Sequence, residues 1–396
     1  MMIKNNKKQN RAYLYLCLGL LSLGLSLGTA YASPSFDTPS PSLYRQVRNL
    51  GMGNVGVALK GTHASSPFYN PAGLNDLKKG ELRILNLTGE ISKDAFSLIT
   101  DVKDLVNDLE DASDQNGDRF RVLDDFIAKN NGKFRHLRLT TEIVGYARKN
   151  FAIGLLAEEN FDFTVREPAV PEFHVRSTTD LVAYVSGAKA FFEDALQVGV
   201  TLKPTVRLAM DEADEIIDYA DTQNDANGKL KLESQLENIW EKQRFGLGAD
   251  VGLKSNLAFG SLKEANWRKK LQPMVGLTWQ DIGSPSFDSA PGNEESLSAG
   301  IAIHPSFAKI ENAIALDLRN LNQDTPFISK LHLGWETKLP AILAVRAGLS
   351  QGYMTAGATV DLWVAKLSAA IYSEEVGVHT RQEGNTRYVV QLGFGI

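Results

Sequence analysis

The fold class that residues 81 to 396 predict is all-β: an antiparallel transmembrane β-barrel of about 14 strands, an even number within the range of single-chain outer-membrane barrels. Three observations carry it. Segments of roughly 10 to 16 residues alternate apolar and polar side chains with period two, longer than the strands of a soluble sandwich. Short turns such as Arg148-Lys149-Asn150 and the one around Pro340 alternate with long polar loops. Beyond the first 32 residues there is no cysteine and no apolar run long enough for a membrane helix, so strands are the available way to cross a bilayer.

The N-terminal segment comes first. Lys4, Lys7, Lys8 and Arg11 precede the apolar stretch AYLYLCLGLLSLGLSLG, and Ala30 and Ala32 supply the small residues of a cleavage site before Ser33. Residues 1 to 32 are therefore expected to be a signal peptide. Cys17 has Leu16 where a lipidation motif needs a small residue, which argues against a lipid anchor. The 42 Lys+Arg against 47 Asp+Glu give a formal charge of -5 and leave no basic footprint, so nucleic acid is excluded as a partner.

Strands are expected near 81–91, 133–148, 150–163, 177–191, 195–208, 243–255, 270–282, 295–304, 308–319, 328–338, 341–350, 353–362, 365–374 and 387–396. Within them Leu137, Leu139 and Ile143 oppose His136, Arg138 and Glu142. Ile310, Ile314, Leu316 and Leu318 oppose Glu311, Asp317 and Arg319. Leu331, Leu333 and Trp335 oppose His332 and Glu336, and Leu343, Val345 and Leu349 oppose Arg346 and Ser350. A cation at the bilayer midplane costs about 2–4 kcal/mol. Arg138, Glu142, Asp317, Arg319, Glu336 and Arg346 are accordingly expected to face a lumen. Trp279, Trp335, Tyr353, Trp363 and Tyr388 lie near strand ends, where interfacial aromatics belong.

Two segments break the β rhythm. Residues 95 to 130 and 211 to 243 carry apolar residues at helical spacing on either side of Asn116-Gly117 and Asn227-Gly228, and are expected as helical hairpins. Strand parity from a periplasmic C-terminus puts both on the extracellular side.

Motifs for other chemistry fail in context. Gly51-Met52-Gly53-Asn54-Val55-Gly56 matches a dinucleotide fingerprint but follows the polar SLYRQVRN rather than a buried strand. Gly348-Leu349-Ser350-Gln351-Gly352 matches a nucleophile elbow, yet Thr355 to Leu362 alternates as a strand where a helix is required. The Asn-Gly turns lack the acidic positions of calcium loops, and the six histidines show no ligand spacing. No catalytic residue, metal or cofactor is expected, and the chain is not read as an enzyme.

The stretch NLGMGNVGVALKGTHASSPFYNPAGL, residues 49 to 74, resembles the N-terminal segment of the FadL-type outer-membrane transporters, and is still more similar to that of the PorV-like and TraF-like (conjugal-transfer protein TraF) barrels. The Gly-Met-Gly start, the small-residue stretch and the Asn-Pro-Ala-Gly-Leu ending carry the likeness. Gly61-Thr62-His63 departs from it, replacing the acidic pair typical of the family. The resemblance implies that residues 33 to 80 form a hatch inside a barrel spanning 81 to 396, with Gly51, Gly53, Gly56, Asn70, Pro71, Ala72 and Gly73 as gate residues. It further implies an outer-membrane channel for small hydrophobic, fatty-acid-like molecules, surrounded by outer-membrane lipids. The alternative it leaves open is a non-transporting barrel that docks secretion or conjugation proteins.

Overall fold

In a computed structural model the described residues are 44–114, 119–166, 172–209, 216–218, 243–307, 310–340, 342–362, 364–377 and 381–395. Fourteen strands form the wall: β1 (Glu81–Ser92), β2 (Arg135–Arg148), β3 (Phe151–Arg166), β4 (Glu172–Phe191), β5 (Leu196–Ala209), β6 (Gln243–Ser255), β7 (Met274–Gln280), β8 (Ser296–Ile303), β9 (Ile310–Leu318), β10 (Leu331–Lys338), β11 (Leu343–Ser350), β12 (Tyr353–Asp361), β13 (Ala365–Glu375) and β14 (Gly384–Gly395). Each pairs antiparallel with its neighbours in sequence, and β1 pairs with β14, so the up-and-down meander closes on itself. Closure removes both sheet edges and satisfies the ladder without water.

Burial is inverted relative to a water-soluble protein. Glu142, Lys254 and Asp317 are at most 1% exposed, whereas Phe245, Val390 and Ile301 are more than half exposed. That inversion excludes a soluble sandwich and identifies the outer surface as the one that meets hydrocarbon. Residues 1 to 32, expected as a signal peptide, lie outside the described residues, as do Asn116-Gly117, Trp363, Ile396 and most of 211 to 243.

Alternation predicts the two faces of β2 until a bulge interrupts it. Leu137, Leu139 and Ile143 face out, and His136, Arg138, Thr140 and Glu142 face in. The pairing with β3 then shifts between Glu142 and Val144, so Val144 and Tyr146 also face out. A similar shift against β14, with Leu85 at φ 52°, puts both Ile84 and Leu85 on the outside of β1. An extra residue opposite one partner inverts the parity of everything beyond it.

The wall is uneven in height. β3 and β4 have 16 and 20 residues, but β7, β8, β10 and β11 have only 7 or 8. At about 3.4 Å per residue the short strands are roughly 25 Å long. β4 begins at Glu172, earlier than alternation suggests, because its first residues gain partners on both sides. They pair with the end of β3 and with the short strand Ile216–Asp218. That short strand corrects the expectation of helix through 211 to 243: among the described residues there, 216 to 218 are extended, as β-branched Ile216 and Ile217 favour.

α1 (Val47–Leu50) and α2 (Ser66–Tyr69) belong to the segment before the barrel, and α3 (Lys93–Asp114) and α4 (Arg119–Asn130) fill the β1–β2 loop. Ser92 ends β1 and starts α3: its hydroxyl accepts the Ala95 N–H at 3.2 Å, capping the helix, and the His136 N–H at 2.9 Å. Phe96 on α3 sits edge-on to the outward Tyr388 at 6.0 Å, which brings the start of the helix to the outer face of β14. Among the described residues no helix is long and apolar enough to cross a membrane.

Candidate functional site

Residues 44 to 77 run through the lumen, and the wall is shaped to receive their backbone. Among the described residues seven inward glycines lie against this segment or its anchor Asp317: Gly199 on β5, Gly252 on β6, Gly276 on β7, Gly300 on β8, Gly334 on β10, Gly348 on β11 and Gly357 on β12. A Cβ at Gly199 would meet the Pro71 carbonyl carbon at 2.3 Å, and one at Gly252 the Asn70 Oδ1 at 2.0 Å. At Gly276, Gly334 and Gly348 it would strike the backbone of Val57, Met52 and Gly53 at 2.2–2.4 Å. The side chains are missing where the inner segment passes. Gly51 and Gly53 answer from the other side: Gly51 lies against Gly357, and Gly53, at φ 68°, against the Leu333 and Leu349 backbone. Gly56 has its room taken by the Tyr69 ring.

Polar groups anchor this segment to the strands. The Asn70 amide donates to the Val57 carbonyl at 2.8 Å and to those of Leu253 and Leu277 at 3.2 and 3.3 Å, joining the segment to β6 and β7. Its Oδ1 accepts the Ala72 N–H at 3.1 Å and so opens the 3-10 turn Pro71–Asp76, with Pro71 at the first position where no donor is needed. Ala72 and Gly73 are buried in that turn, with Gly73 against Gly61. Asp317 on β9 accepts the N–H groups of Gly56 and Val57 at 2.6 and 2.9 Å, and Arg319 donates to the Asn54 carbonyl at 3.0 Å. The expected inward residues thus divide. Asp317, Arg319 and Glu336 touch the inner segment directly, and Arg138 acts through Glu158, which accepts the Tyr44 N–H at 3.2 Å. Glu142 bonds within the wall to Arg83 and Tyr184, and Arg346 to Glu336 and Thr359.

Two anchors near the end where the inner segment joins β1 titrate. Burial alone would raise the Asp76 pKa, but Lys254, the Gly61 N–H and the Gln197 amide override it and hold the carboxyl below its ordinary value. Burial pushes His304, in the turn after β8, down to about 4; its neutral ring accepts the Lys60 N–H at 3.1 Å. Both folded-state values are depressed, so both contributions are complete above the ordinary values and disappear as pH falls through the lowered ones. The His304 contribution is lost progressively between about pH 6.5 and about 4, and that of Asp76 only below its ordinary value, so residues 59 to 61 are expected to be fully seated at pH 7 and to loosen steadily as pH falls below about 6. Thiol labelling of a Lys60→Cys variant from about pH 7 to about 4 checks this, and a labelling rate that stays unchanged over that range would contradict it.

Two cavities flank α1. The first, about 130 Å³, is lined by Arg45, His136, Asp162, Lys203, Asp281, Glu374 and Arg387 among others, and lies towards the α3 end. The second, about 360 Å³, lies towards the opposite end and is lined by Gln46, Arg48 and residues of β1 and β10–β14. Arg45 precedes α1 and bridges Glu374 at 2.9 Å and Glu90 at 3.1 Å, while Arg48 makes a bidentate pair with Glu336 at 2.8 and 2.9 Å. Between these ion pairs Val47 and Leu50 pack on Ala370, Tyr372 and Val389 of β13 and β14. The partition is therefore an apolar seam clamped by two guanidiniums.

Sequence reading missed the strand glycines, Arg45, Arg48 and the seam. The glycines did leave a signal, since an isolated Gly inside an alternating strand marks a close backbone approach. Arg45 left none; its partner Glu374 is 329 residues away. Among the described residues no group of His, Cys, Asp and Glu has metal-site geometry.

No family model matches the chain, and no curated protein matches it. Solved structures do. The CymD monoaromatic hydrocarbon channel is 12% identical, covering 88% of this chain and 96% of its own, with a TM-score of 0.43. A TodX deltaS2S3 mutant monoaromatic hydrocarbon channel is 11% identical, covering 89% and 98%, with a TM-score of 0.49. The Ralstonia pickettii toluene transporter TbuX is 10% identical, covering 88% and 96%, with a TM-score of 0.42.

Proposed function

We propose that this protein is a passive outer-membrane channel for small hydrophobic molecules, with residues 44 to 77 as its hatch and α1 as the gate. The observation that carries the reading is the position of α1. It separates a cavity on the loop side from one on the opposite side, and its contact with β13 and β14 is apolar. A hydrophobic solute passing along Val47, Leu50, Ala370, Tyr372 and Val389 would meet no uncompensated charge, whereas the glycine-lined side of the lumen is filled with backbone. Ligand entry would shift α1 rather than the whole hatch, because a ligand moves an equilibrium only through contacts that differ between the two states.

The test joins the gate to the wall. With Cys17 confined to the expected leader, Leu50→Cys and Ala370→Cys can be bridged by a short thiol-reactive linker in an otherwise cysteine-free barrel. Uptake of an aromatic hydrocarbon probe should fall to the level of cells lacking the barrel, and each single variant treated with the linker should keep it. Uptake through the bridged form at the uncrosslinked rate would remove α1 as the gate.

A second reading has its own observation. The hatch is bonded to strands around the lumen, from Asp317 on β9 to Glu90 on β1, which suits a fixed plug in a barrel that docks a surface, secretion or conjugation apparatus. Kinship with PorV-like and TraF-like barrels belongs to this reading. Asn70→Ala separates the two. It strips a donor from three carbonyls, at about 1 kcal/mol for each bond lost. In a channel it should raise leakage with unchanged heat-modifiable gel mobility. Unchanged uptake and leakage with falling partner copurification would favour docking.

A further inference from the structure

The cavity on the far side of α1 has a composition that channel passage does not require. Arg48 and Arg83 both line it, and the Nη1 of each is buried without a hydrogen-bond partner. Arg83 is 4% exposed, and its other nitrogens are held by Glu142 and Tyr184. An uncompensated buried guanidinium N–H is costly, and two lining one cavity make a socket for an oxyanion. Arg346, Lys338 and Lys366 line the same space. Its carboxylates, Glu81 and Asp361, are more exposed than the arginines, and Glu81 is already engaged by His63 and Lys366.

The mouth of this cavity reaches the outside of the barrel. Its lining passes from inward residues, Arg83 and Arg346, to Leu343 and Phe394, which share the lipid-facing parity of their strands. The rim there is low and apolar. β10 and β11 have 8 residues each, and Leu339, Ile342, Leu362 and Val364 in the adjoining turns are 39–61% exposed. Polar turns would end such a wall in water; apolar ones end it among acyl chains.

The geometry points to a seat for one anionic phospholipid of the periplasmic leaflet, its phosphate on Arg48 and Arg83 and its acyl chains over the Leu339–Ile342 rim. The shared chemistry is an oxyanion head on an apolar tail, and the leaflet supplies it in quantity at that level. The inference goes beyond the channel reading and does not rest on it: a fixed plug would present the same socket.

The test uses the full barrel reconstituted in nanodiscs of phosphatidylethanolamine with a minority of phosphatidylglycerol, released for native mass spectrometry. The wild type should retain one phosphatidylglycerol in preference to phosphatidylethanolamine. Arg48→Gln, which leaves Glu336 paired with Arg346, should reduce retention about tenfold. Ala344→Trp, which fills the cavity and leaves every charge in place, should abolish it, with heat-modifiable mobility reporting the fold of both variants. Neither inorganic phosphate nor decanoate should displace the lipid. Equal retention of the two lipids, or retention by Ala344→Trp, would overturn the seat. Displacement by decanoate would also overturn it, and would assign the cavity to solute leaving the channel, so this failure is distinct from failure of the gate.

Discussion

Gly252→Val is expected to convert the closed barrel into a constitutively leaky one. The new Cβ would lie 2.0 Å from Asn70 Oδ1 and 2.8 Å from Pro71 Cδ, with the neighbouring Gly199 in contact with the same turn. Neither the wall nor the turn can yield by that amount locally. The ladder holds β6 between β5 and β7, and Asn70 is tied to the Leu253 and Leu277 carbonyls. The inner segment, held by side-chain bonds rather than by a closed ladder, is the part expected to move. Planar-bilayer recordings should show a persistent conductance absent from the wild type, and cells should become sensitive to large polar antibiotics. Gly89→Val on β1 is the control, because a Cβ there has nothing within 4 Å, and its conductance should match the wild type. A closed Gly252→Val barrel would mean that the seating of the inner segment does not depend on this close approach.

Arg45→Ala should unseat α1, the proposed gate, without displacing the whole inner segment. Arg45 is 7% exposed and is shared by Glu90 and Glu374, and Tyr372 also donates to Glu90. Removing one partner of a buried pair costs about 3–5 kcal/mol, because the other is left charged in a poorly solvated place. Here Arg387 and His136 remain near Glu90, so the cost should fall at the low end. Even 3 kcal/mol on an equilibrium between seated and open α1 is roughly a hundredfold in population. Hydrocarbon uptake and brief channel openings should rise by at least an order of magnitude, and Arg45→Ala with Glu374→Gln should recover part of the closed behaviour. If Arg45→Ala leaves uptake, openings and leakage unchanged, the clamp has no gating role.

The strand pattern, the close approach at Gly252 and the Arg45 clamp differ in how far the sequence displays them. Where each strand lies and which face meets lipid follow from alternation alone. Every outward Leu, Ile and Val on β2, β9, β10 and β11 has a charged or small inward neighbour, and hydrocarbon tolerates only one assignment. The two bulges were not visible, since a slip in pairing is a relation between strands and leaves each strand's own pattern ambiguous over two residues. The inner segment was legible as glycine-rich but its seating was not. Gly252 and Asn70 are far apart in sequence, and their close approach exists only once the barrel has closed.

What the sequence by itself determined is the barrel: fourteen strands, their order, and the separation of an apolar outside from a charged inside, because these depend on local periodicity and on the dielectric of the surroundings. What only the tertiary structure decided is how the lumen is used. Arg45 meets Glu374, Arg48 meets Glu336, and Arg83 and Arg48 are left with unpaired nitrogens beside one cavity. Charge pairing inside a closed wall is set by which strands face one another across the lumen, and no local pattern along the chain encodes that distance.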